Sequence, residues 1–410
     1  MQIKLSAPKR IETSIQLPSS KSISNRVLIM HALGKGKDKP QNLSDCDDTQ
    51  VMVRALADIH QPVVDIMAAG TAMRFLTAYL SVSPGERIIT GTQRMKQRPI
   101  QILVEALRSL GAQIEYTEKE GFPPLKITGT TLHKEAISLP GNVSSQYISA
   151  LLMIAPTLPQ GLRLTLTGKI ISRPYIDLTI ALMKQFGVIA QWENEQVLKV
   201  APQPYRSIPF FVESDWSAAS YWYQLAALCP EANIDLPYLF KDSLQGDSKV
   251  ADLFQLLGVS TTFTPQGVHL QKEKRAISRF DYNFINQPDL AQTLVVTCAL
   301  LHLPFRFEGL QSLKIKETDR MAALICEMRK LGYVLHEEEG SILYWDGERC
   351  TAEENPVIET YEDHRMAMAF APAGMVIQGL RINHPEVVSK SYPHFWENLQ
   401  QAGFSIEKED

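Results

Sequence analysis

Apolar residues recur along this chain in two alternating rhythms: a helical spacing that runs up to a glycine, and then a two-residue alternation. The pattern appears in L-R-S-L-G-A-Q-I-E-Y, L-M-K-Q-F-G-V-I-A-Q-W, L-F-Q-L-L-G-V-S-T-T-F, M-R-K-L-G-Y-V-L-H and L-Q-Q-A-G-F-S-I-E. The first rhythm predicts a helix and the second a half-buried strand, and a glycine between them fits a left-handed helix C-cap. The marker glycines Gly111, Gly187, Gly258, Gly332 and Gly403 stand 71 to 76 residues apart. That spacing is more even than chance recurrence of helix–Gly–strand units would give. A sixth, degraded copy, A-L-A-D-I-H-Q-P-V-V-D-I, has His60 at the glycine position only 51 residues before Gly111, so the first unit has lost material. Six such units predict a pseudo-symmetric α/β architecture with three units in each of two lobes. The proline-rich stretch between Pro202 and Asp215 follows the third unit and marks the expected return between lobes.

Composition agrees with two lobes. The chain has 410 residues, 45% of them hydrophobic and 21% charged, enough for two ample cores. Its five cysteines are odd in number and form no C-x-x-C pair, which suits reduced thiols. The first residues lack the apolar core of a signal peptide, and no apolar run approaches the length of a membrane span, so a soluble, cytoplasmic protein is expected. A formal net charge of -4 argues against a nucleic-acid surface. No Walker loop, dinucleotide fingerprint, H-E-x-x-H or G-x-S-x-G occurs; G-K-G-K at 34–37 does not fit a phosphate loop.

Against that acidic background the cations are gathered locally, in S-S-K-S-I-S-N-R (19–26), R-M-K-Q-R-P-I (94–100), K-E-T-D-R (316–320) and D-H-R-M-A-M (363–368). Arg and Lys grouped beside hydroxyls, amides and carboxylates suit phosphate and carboxylate oxygens, which points to a small, heavily anionic ligand. Ser19 and Ser20 precede a good helix pattern, as do Ser144, Ser145 and Gln146; both segments fit helix caps as well as anion sites. I-S-R-P-Y-I-D, with Ser172 and Tyr175, is equally ambiguous. Arg74 in A-G-T-A-M-R sits near a helix start, where the dipole disfavours it unless an anion or carboxylate lies opposite. Asp289 after Pro288 reads either as an N-cap or as a general base. In K-E-T-D-R, Lys316 and Arg320 would be i,i+4 neighbours on a helix and would repel without an anion between them; a surface salt-bridge ladder is the alternative. His364 fits a satisfied buried histidine, whereas Arg365 needs an anion.

Taken in this order, the segments resemble the 3-phosphoshikimate 1-carboxyvinyltransferase (EPSP synthase) family, from S-K-S-I-S-N-R to S-K-S-Y-P, with A-G-T-A-M-R, R-M-K-Q-R-P-I, V-S-S-Q, K-E-T-D-R and D-H-R-M-A-M the most specific elements. The resemblance implies a two-lobed enolpyruvyl transferase fold, an inside-out α/β barrel with three βαββαβ units per lobe, the first shortened between Asp58 and Met67. It implies one discontinuous lobe of residues 1–18 and 215–410, a second of 19–214, and an active site between them. The implied reaction moves the enolpyruvyl group of phosphoenolpyruvate to the 5-hydroxyl of shikimate 3-phosphate, without cofactor or metal, in a monomer with no nucleic-acid or membrane partner. Carried over by motif, Lys21, Ser22, Arg26, Ser144, Ser145, Gln146, Ser172, Tyr175, Asp289, Ser312 and Lys316 would contact shikimate 3-phosphate. Lys21, Gly70, Arg98, Gln146, Arg320, Arg365 and Lys390 would hold phosphoenolpyruvate. Asp289 would act as base for the 5-hydroxyl and Glu317 would handle the proton at the vinyl carbon, with Lys21 and His364 completing the catalytic set. The chain departs from the family pattern at Ser19, Ala68, Phe75 and Ser312. The related UDP-N-acetylglucosamine enolpyruvyl transferases carry a cysteine in the loop matching Thr90–Arg98, and this chain has none there. A catalytically silent phosphate-binding relative is the other alternative.

Overall fold

A computed structural model describes residues 1–35 and 40–409, so the G-K-G-K segment lies partly outside the described residues. In chain order, β1 (Gln2–Ser6) and β2 (Arg10–Ser14) precede α1 (Lys21–Leu33), α2 (Asp47–Ala57), β3 (Val63–Asp65), α3 (Gly70–Val82) and β4 (Gly85–Thr90). Next come α4 (Gln101–Leu110), β5 (Gln113–Tyr116), β6 (Leu125–Gly129), β7 (Ala136–Pro140), α5 (Ser145–Ile154), β8 (Leu162–Thr167), α6 (Arg173–Gln185), β9 (Ala190–Asn194) and β10 (Val197–Val200). The chain continues through α7 (Trp216–Leu228), β11 (Glu231–Pro237), α8 (Val250–Leu256), β12 (Val259–Thr264), β13 (Gly267–Lys272), β14 (Phe280–Asn283), α9 (Ala291–Leu300) and β15 (Phe305–Glu308). It closes with α10 (Arg320–Lys330), β16 (His336–Glu338), β17 (Ile342–Trp345), β18 (Val357–Ile358), α11 (His364–Phe370), β19 (Leu380–Asn383), α12 (Phe395–Gln401) and β20 (Ser405–Glu409).

Two compact units result: a discontinuous one of Met1–Pro18 with Glu213–Asp410, and a continuous one of Ser19–Val212. Among the described residues the continuous unit holds the four-stranded sheets β3-β4-β6-β5 and β7-β8-β10-β9. The discontinuous unit holds β12-β13-β11-β2, β14-β15-β17-β16 and β18-β19-β1-β20. All five repeat one scheme of a parallel pair followed by two antiparallel pairs. The parallel pairs are β3–β4, β7–β8, β2–β11, β14–β15 and β18–β19. The other ladders are antiparallel.

A parallel pair requires a crossover. α3, α5, α9 and α11 each supply one, and between β2 and β11 the crossover contains the whole continuous unit and then α7. These crossover helices are apolar nearly all round, and every residue of α9 and α11 is buried, as expected of helices packed centrally with sheets outside them. In the discontinuous unit α7 packs on α9, and α9 on α11; in the continuous unit α3 packs on α5, and α1 on α3 and α6. The second helices, α4, α6, α8, α10 and α12, run into the marker glycines. Gly111, Gly187, Gly258, Gly332 and Gly403 all have positive φ, from +82° to +111°, the left-handed region where a side chain is strained.

The sixth copy keeps its two helices, α1 and α2. Among the described residues its strands are reduced to one parallel bridge, Gln41 with Phe211. His60 is not among the residues with positive φ; a short turn leads from α2 straight to β3, which already belongs to the next sheet.

Four helices of the continuous unit meet around Arg26 of α1, which is buried. Its guanidinium donates to Thr179 Oγ1 at 2.7 Å and to Ser149 Oγ at 3.2 Å. It also reaches the carbonyls of Ser22 at 2.9 Å and Tyr175 at 3.4 Å. Phe75 of α3 lies under it, with the cation 5.3 Å from the ring centroid, a favourable cation–π distance. Burial, slightly offset by Tyr175, lowers the Arg26 pKa to about 10, so it stays cationic at neutral pH. The family departure at Phe75 therefore fills the floor of an arginine site.

The packing of β6 on the end of α3 tests the sheet–helix geometry. A Cβ on Gly129 would lie 1.7 Å from the Ser83 carbonyl oxygen, whereas one on Gly111 meets nothing within 4 Å. Gly129→Ala should cost at least about 3 kcal/mol, because backbone must move, while Gly111→Ala should cost only the strain of its positive φ, about 1–3 kcal/mol. Urea unfolding that ranks the two variants equally, or in reverse, would contradict this packing.

Candidate active site

The strongest concentration of charge in the discontinuous unit is built on Arg320, the first residue of α10 and only 1% exposed. Asp319 before it caps the helix by accepting from the Ala322 amide at 3.1 Å. A cation at a helix N-terminus opposes the dipole, so Arg320 needs carboxylates, and it has three. Asp363 Oδ2 accepts from Nε at 2.7 Å and its Oδ1 from Nη2 at 3.2 Å, a bidentate fork. Glu317 Oε2 lies 3.0 Å from Nη2, and Asp289 Oδ1 lies 3.4 Å from Nη1. Gln292, with its amide oxygen turned toward the guanidinium, accepts at 3.1 and 3.2 Å. Burial opposes the Arg320 charge, but Asp363, Glu317 and Asp289 more than reverse that and raise its pKa above the ordinary value.

The other motif cations of this unit, Arg365, Lys316 and Lys390, join the same cluster. Arg365 Nη2 donates to Asp289 Oδ2 at 2.9 Å, and its Nη1 approaches the Asp289 carbonyl at 3.3 Å and the Tyr221 hydroxyl at 3.5 Å. Lys316 Nζ is 3.7 Å from Asp289 Oδ1, and Lys390 Nζ is 3.2 Å from Glu317 Oε1. His364 is buried, its Nδ1 3.7 Å from Asp363 Oδ1. Ser312 lies in the single-turn segment Gln311–Ile315 just before Lys316.

Several sequence expectations resolve here. Lys316 is not on a helix with Arg320: it ends the short turn before α10, and the anion between the two cations is Asp289. Glu317 is not part of a surface ladder, since its partner Arg320 is buried. Asp289 is not the N-cap of α9; that position is Leu290, without a side-chain cap bond. Asp363 was visible in D-H-R but carried no assigned role, although it both forks Arg320 and caps α11 through the Arg365 amide at 2.9 Å. An aspartate directly before a cationic helix start was the available signal.

The continuous unit carries the remaining motifs. Ser20 caps α1 by accepting from the Ile23 amide at 3.4 Å. Lys21 begins that helix and pairs with the buried Asp48 at 3.5 Å, an acid the motifs did not single out. Ser144 caps α5, accepting from the Gln146 amide at 3.3 Å, so Ser145 and Gln146 occupy its first turn. The Gln146 side chain donates to Thr71 Oγ1 at 3.1 Å, tying α5 to the first turn of α3. Ser172 precedes α6 in a left-handed conformation, φ 53°, and offers no side-chain cap bond. Tyr175 follows in the first turn of α6, where its carbonyl takes Arg26 and the Thr179 hydroxyl.

At the start of α3, Arg74 turns back to the Gly70 carbonyl at 3.0 Å and to the Pro99 carbonyl at 3.4 Å. Pro99 also accepts from the Tyr147 hydroxyl at 2.7 Å, which fixes the chain beside Arg98. The half-buried Arg98 lies over Gly70: a Cβ there would stand 2.7 Å from its Nη1. Lys21, Arg98 and the helix mouths of α1, α3 and α5 are thus carried on elements locked to one another within this unit.

The cluster around Arg320 makes a stability prediction. Removing the guanidinium leaves Asp363 buried at 0% exposure with its fork unfilled. Arg320→Met should cost about 3–5 kcal/mol, the usual penalty for orphaning a buried partner. Arg320→Lys should recover part of it, as Lys cannot reproduce the fork. Chemical denaturation would show this, and a cost below about 1 kcal/mol for Arg320→Met would contradict the central place of this contact.

The family model for EPSP synthase (3-phosphoshikimate 1-carboxyvinyltransferase) matches residues 5–62 and 57–399. A 3-phosphoshikimate 1-carboxyvinyltransferase of Bacteroides fragilis is 63% identical over 406 residues, covering 99% of both chains. One from Vibrio campbellii is 35% identical over 418 aligned positions, covering 95% of this chain and 97% of its own. An EPSP synthase structure from Acinetobacter baumannii superposes with a TM-score of 0.79 at 21% identity, over 99% of this chain and 100% of that one, which supports the two-lobed fold. With its five like-built sheets, its intact charged motifs and relatives matched along nearly their whole length, this chain belongs to the EPSP synthase family.

Proposed function

We infer that the clustered cations and carboxylates catalyse enolpyruvyl transfer from phosphoenolpyruvate to the 5-hydroxyl of shikimate 3-phosphate, with release of phosphate, in aromatic biosynthesis. The observation that carries the site assignment is the pair Asp289 and Glu317. Both lie on Arg320, yet Asp289 is otherwise paired with Arg365 and Lys316, and Glu317 with Lys390. The reaction needs two such groups. The enol double bond is present in substrate and product, so a proton added to the methylene carbon must be lost again, while the attacking hydroxyl loses its own. Two carboxylates in unlike settings divide that work. Asp289 takes the hydroxyl proton as oxygen bonds to the enol carbon. Glu317 delivers the proton to the methylene carbon and removes one when the C–O bond to phosphate breaks.

Four cations here, Lys316, Arg320, Arg365 and Lys390, face three carboxylates, Asp289, Glu317 and Asp363. A phosphate or carboxylate group of the substrate can therefore take a share of Arg365 and Lys390 without leaving the cluster unbalanced. As it does so it competes with Asp289 and Glu317 for those cations and leaves the two carboxylates readier to accept protons. Phosphoenolpyruvate is assigned to Lys21, Gly70, Arg98, Gln146, Arg320, Arg365 and Lys390. Shikimate 3-phosphate is assigned to Lys21, Ser22, Ser144, Ser145, Gln146, Ser172, Tyr175, Asp289, Ser312 and Lys316. Arg26 completes that second set less directly, through the Ser22 and Tyr175 carbonyls it already holds. A cytoplasmic monomer is the assigned state; the five free cysteines suit a reducing compartment.

Phosphate release measured with both substrates tests the activity. Asp289→Asn and Glu317→Gln should each lower turnover roughly 10²–10⁴-fold while shikimate 3-phosphate still binds; near-normal turnover in either would remove that residue from its role. Gly70→Ala offers a second check, because its methyl group must displace the flexible end of Arg98, 2.7 Å away, and asks only a shift of a few tenths of an ångström from Arg74 Nη1 at 3.1 Å. The Michaelis constant for phosphoenolpyruvate should rise about 10-fold or more, the value of a charge-assisted contact, with the melting temperature almost unmoved. An unchanged constant would mean that Arg98 does not touch this substrate.

A further inference from the structure

Behind the assigned carboxylates stands another buried acid that the reaction above does not use. Asp247 lies in the single-turn segment Gly246–Lys249 that leads into α8, and is 3% exposed. Ser217, in the first turn of α7, donates its hydroxyl to Asp247 Oδ2. Gln245, immediately before the same segment, accepts the Trp216 amide at 3.0 Å and clamps the start of α7 against it. One helical turn beyond Ser217, the Tyr221 hydroxyl meets Arg365 Nη1 at 3.5 Å, and Arg365 in turn holds Asp289. The acid, the start of α7 and the Arg365–Asp289 pair thus form one packed sequence of contacts.

The charges that reach Asp247 come from each neighbouring element. Asp289 and Asp215 disfavour its ionisation, Arg365 favours it, and the Ser217 hydroxyl stabilises the ionised form. Lys249, on its own segment, is engaged by Asp252 of α8 at 2.8 Å. Tyr282 of β14 also feels its charge. Burial first, and Asp289 second, push the Asp247 carboxyl up to about 7, so its charge changes within the working range of a cytoplasmic enzyme.

We propose that Asp247 is a positioning residue that sets how firmly Arg365 can hold a substrate anion. Neutral Asp247 adds no negative charge beside the Arg365–Asp289 pair, and an arriving phosphate or carboxylate is held by Arg365 the more firmly. Ionised Asp247 adds a second fixed negative charge behind Arg365 and weakens that attraction. The effect is electrostatic and acts through Arg365; Asp247 itself contacts no substrate. It rests on the assignment of Arg365 to phosphoenolpyruvate made above.

The sign of the stability effect follows from the raised value. A carboxyl whose folded pKa lies above its unfolded one stabilises the fold at low pH and loses that contribution as pH rises toward and through the folded value, here about 7. Asp247→Asn removes this dependence, so its melting temperature relative to the unaltered protein should climb between pH 5 and pH 8.

The deciding experiment is the Michaelis constant for phosphoenolpyruvate from pH 6 to pH 9, with shikimate 3-phosphate saturating, in the full chain and in two variants. The unaltered enzyme should show at least a 3-fold rise in that constant centred near pH 7. Asp247→Asn should lack that rise, and the ionisation of phosphoenolpyruvate itself, common to all three proteins, cancels in the comparison. Ser217→Ala, which removes a hydrogen bond to the ionised form, should move the rise to higher pH, and it keeps the test open if Asp247→Asn does not fold. A purely structural role would lower turnover in both variants with the pH dependence of the constant unmoved, and that result overturns the proposal. Absence of turnover in the unaltered chain at every pH would instead overturn the activity on which it rests.

Discussion

One buried guanidinium organises the charged cluster of the discontinuous unit. Arg320 cannot sit at the N-terminus of α10, out of water, without carboxylates around it, and the three that answer come from three separate stretches of chain: Asp289, Glu317 and Asp363. Each brings further cations or a helix start with it. Asp289 brings Arg365 and Lys316, Glu317 brings Lys390, and Asp363 fixes the first turn of α11. A desolvated ion cluster adds little net stability compared with a well-packed apolar core. On the proposed assignment, what the cluster offers is cations and carboxylates held together on a rigid frame, with Asp289 and Glu317 each shared between Arg320 and a further cation.

The frame that holds this cluster follows from the repeated sheet. A parallel pair closed by a central helix, then two antiparallel strands reached through a second helix, places each central helix with its N-terminus at a similar point in every copy. The motifs fall at those points: Lys21 at α1, Gly70 at α3, Ser144 at α5, and Arg365 at α11. The absence of a sixth sheet among the described residues leaves this arrangement intact because α1 and α2 are present, and the residues of that copy proposed for the site, Lys21 and Arg26, belong to α1.

Much of this was legible in the chain. The marker glycines are necessary because each second helix ends in a left-handed turn, and their even spacing exposed the repeat before any coordinate. His60 announced the damaged copy because a turn that short no longer needs the glycine. The hydroxyls at Ser20 and Ser144 could be read as caps, and they are caps. What local sequence could not give was which charge meets which. Lys316 and Arg320 looked like helical neighbours because they stand four positions apart, but Asp319 caps the start of the helix between them, and the anion they share comes from Asp289. Likewise Phe75 could be noted as a departure, yet its packing against Arg26 depends on α1 and α3 meeting across 49 residues of chain. Buried pairings of this kind are set by tertiary packing, to which local periodicity is blind.

The pairing of Lys316, Arg320, Arg365 and Lys390 with carboxylates bears on how an anionic substrate would be held there. Bare arginines in a pocket would attract any anion strongly and release it slowly. On the proposed assignment an incoming phosphate would have to replace an existing partner, so the net gain would be the difference between two charge-assisted contacts and not the whole of one. That difference is small for a ligand that reaches only one cation and accumulates for one that reaches several at once, as a molecule bearing both a phosphate and a carboxylate does. Selectivity for a doubly anionic enol substrate over inorganic phosphate can therefore arise from the compensated state itself. On the assignment proposed above, the carboxylates displaced in the exchange are the same two groups that move protons, so binding and activation would draw on a single set of contacts.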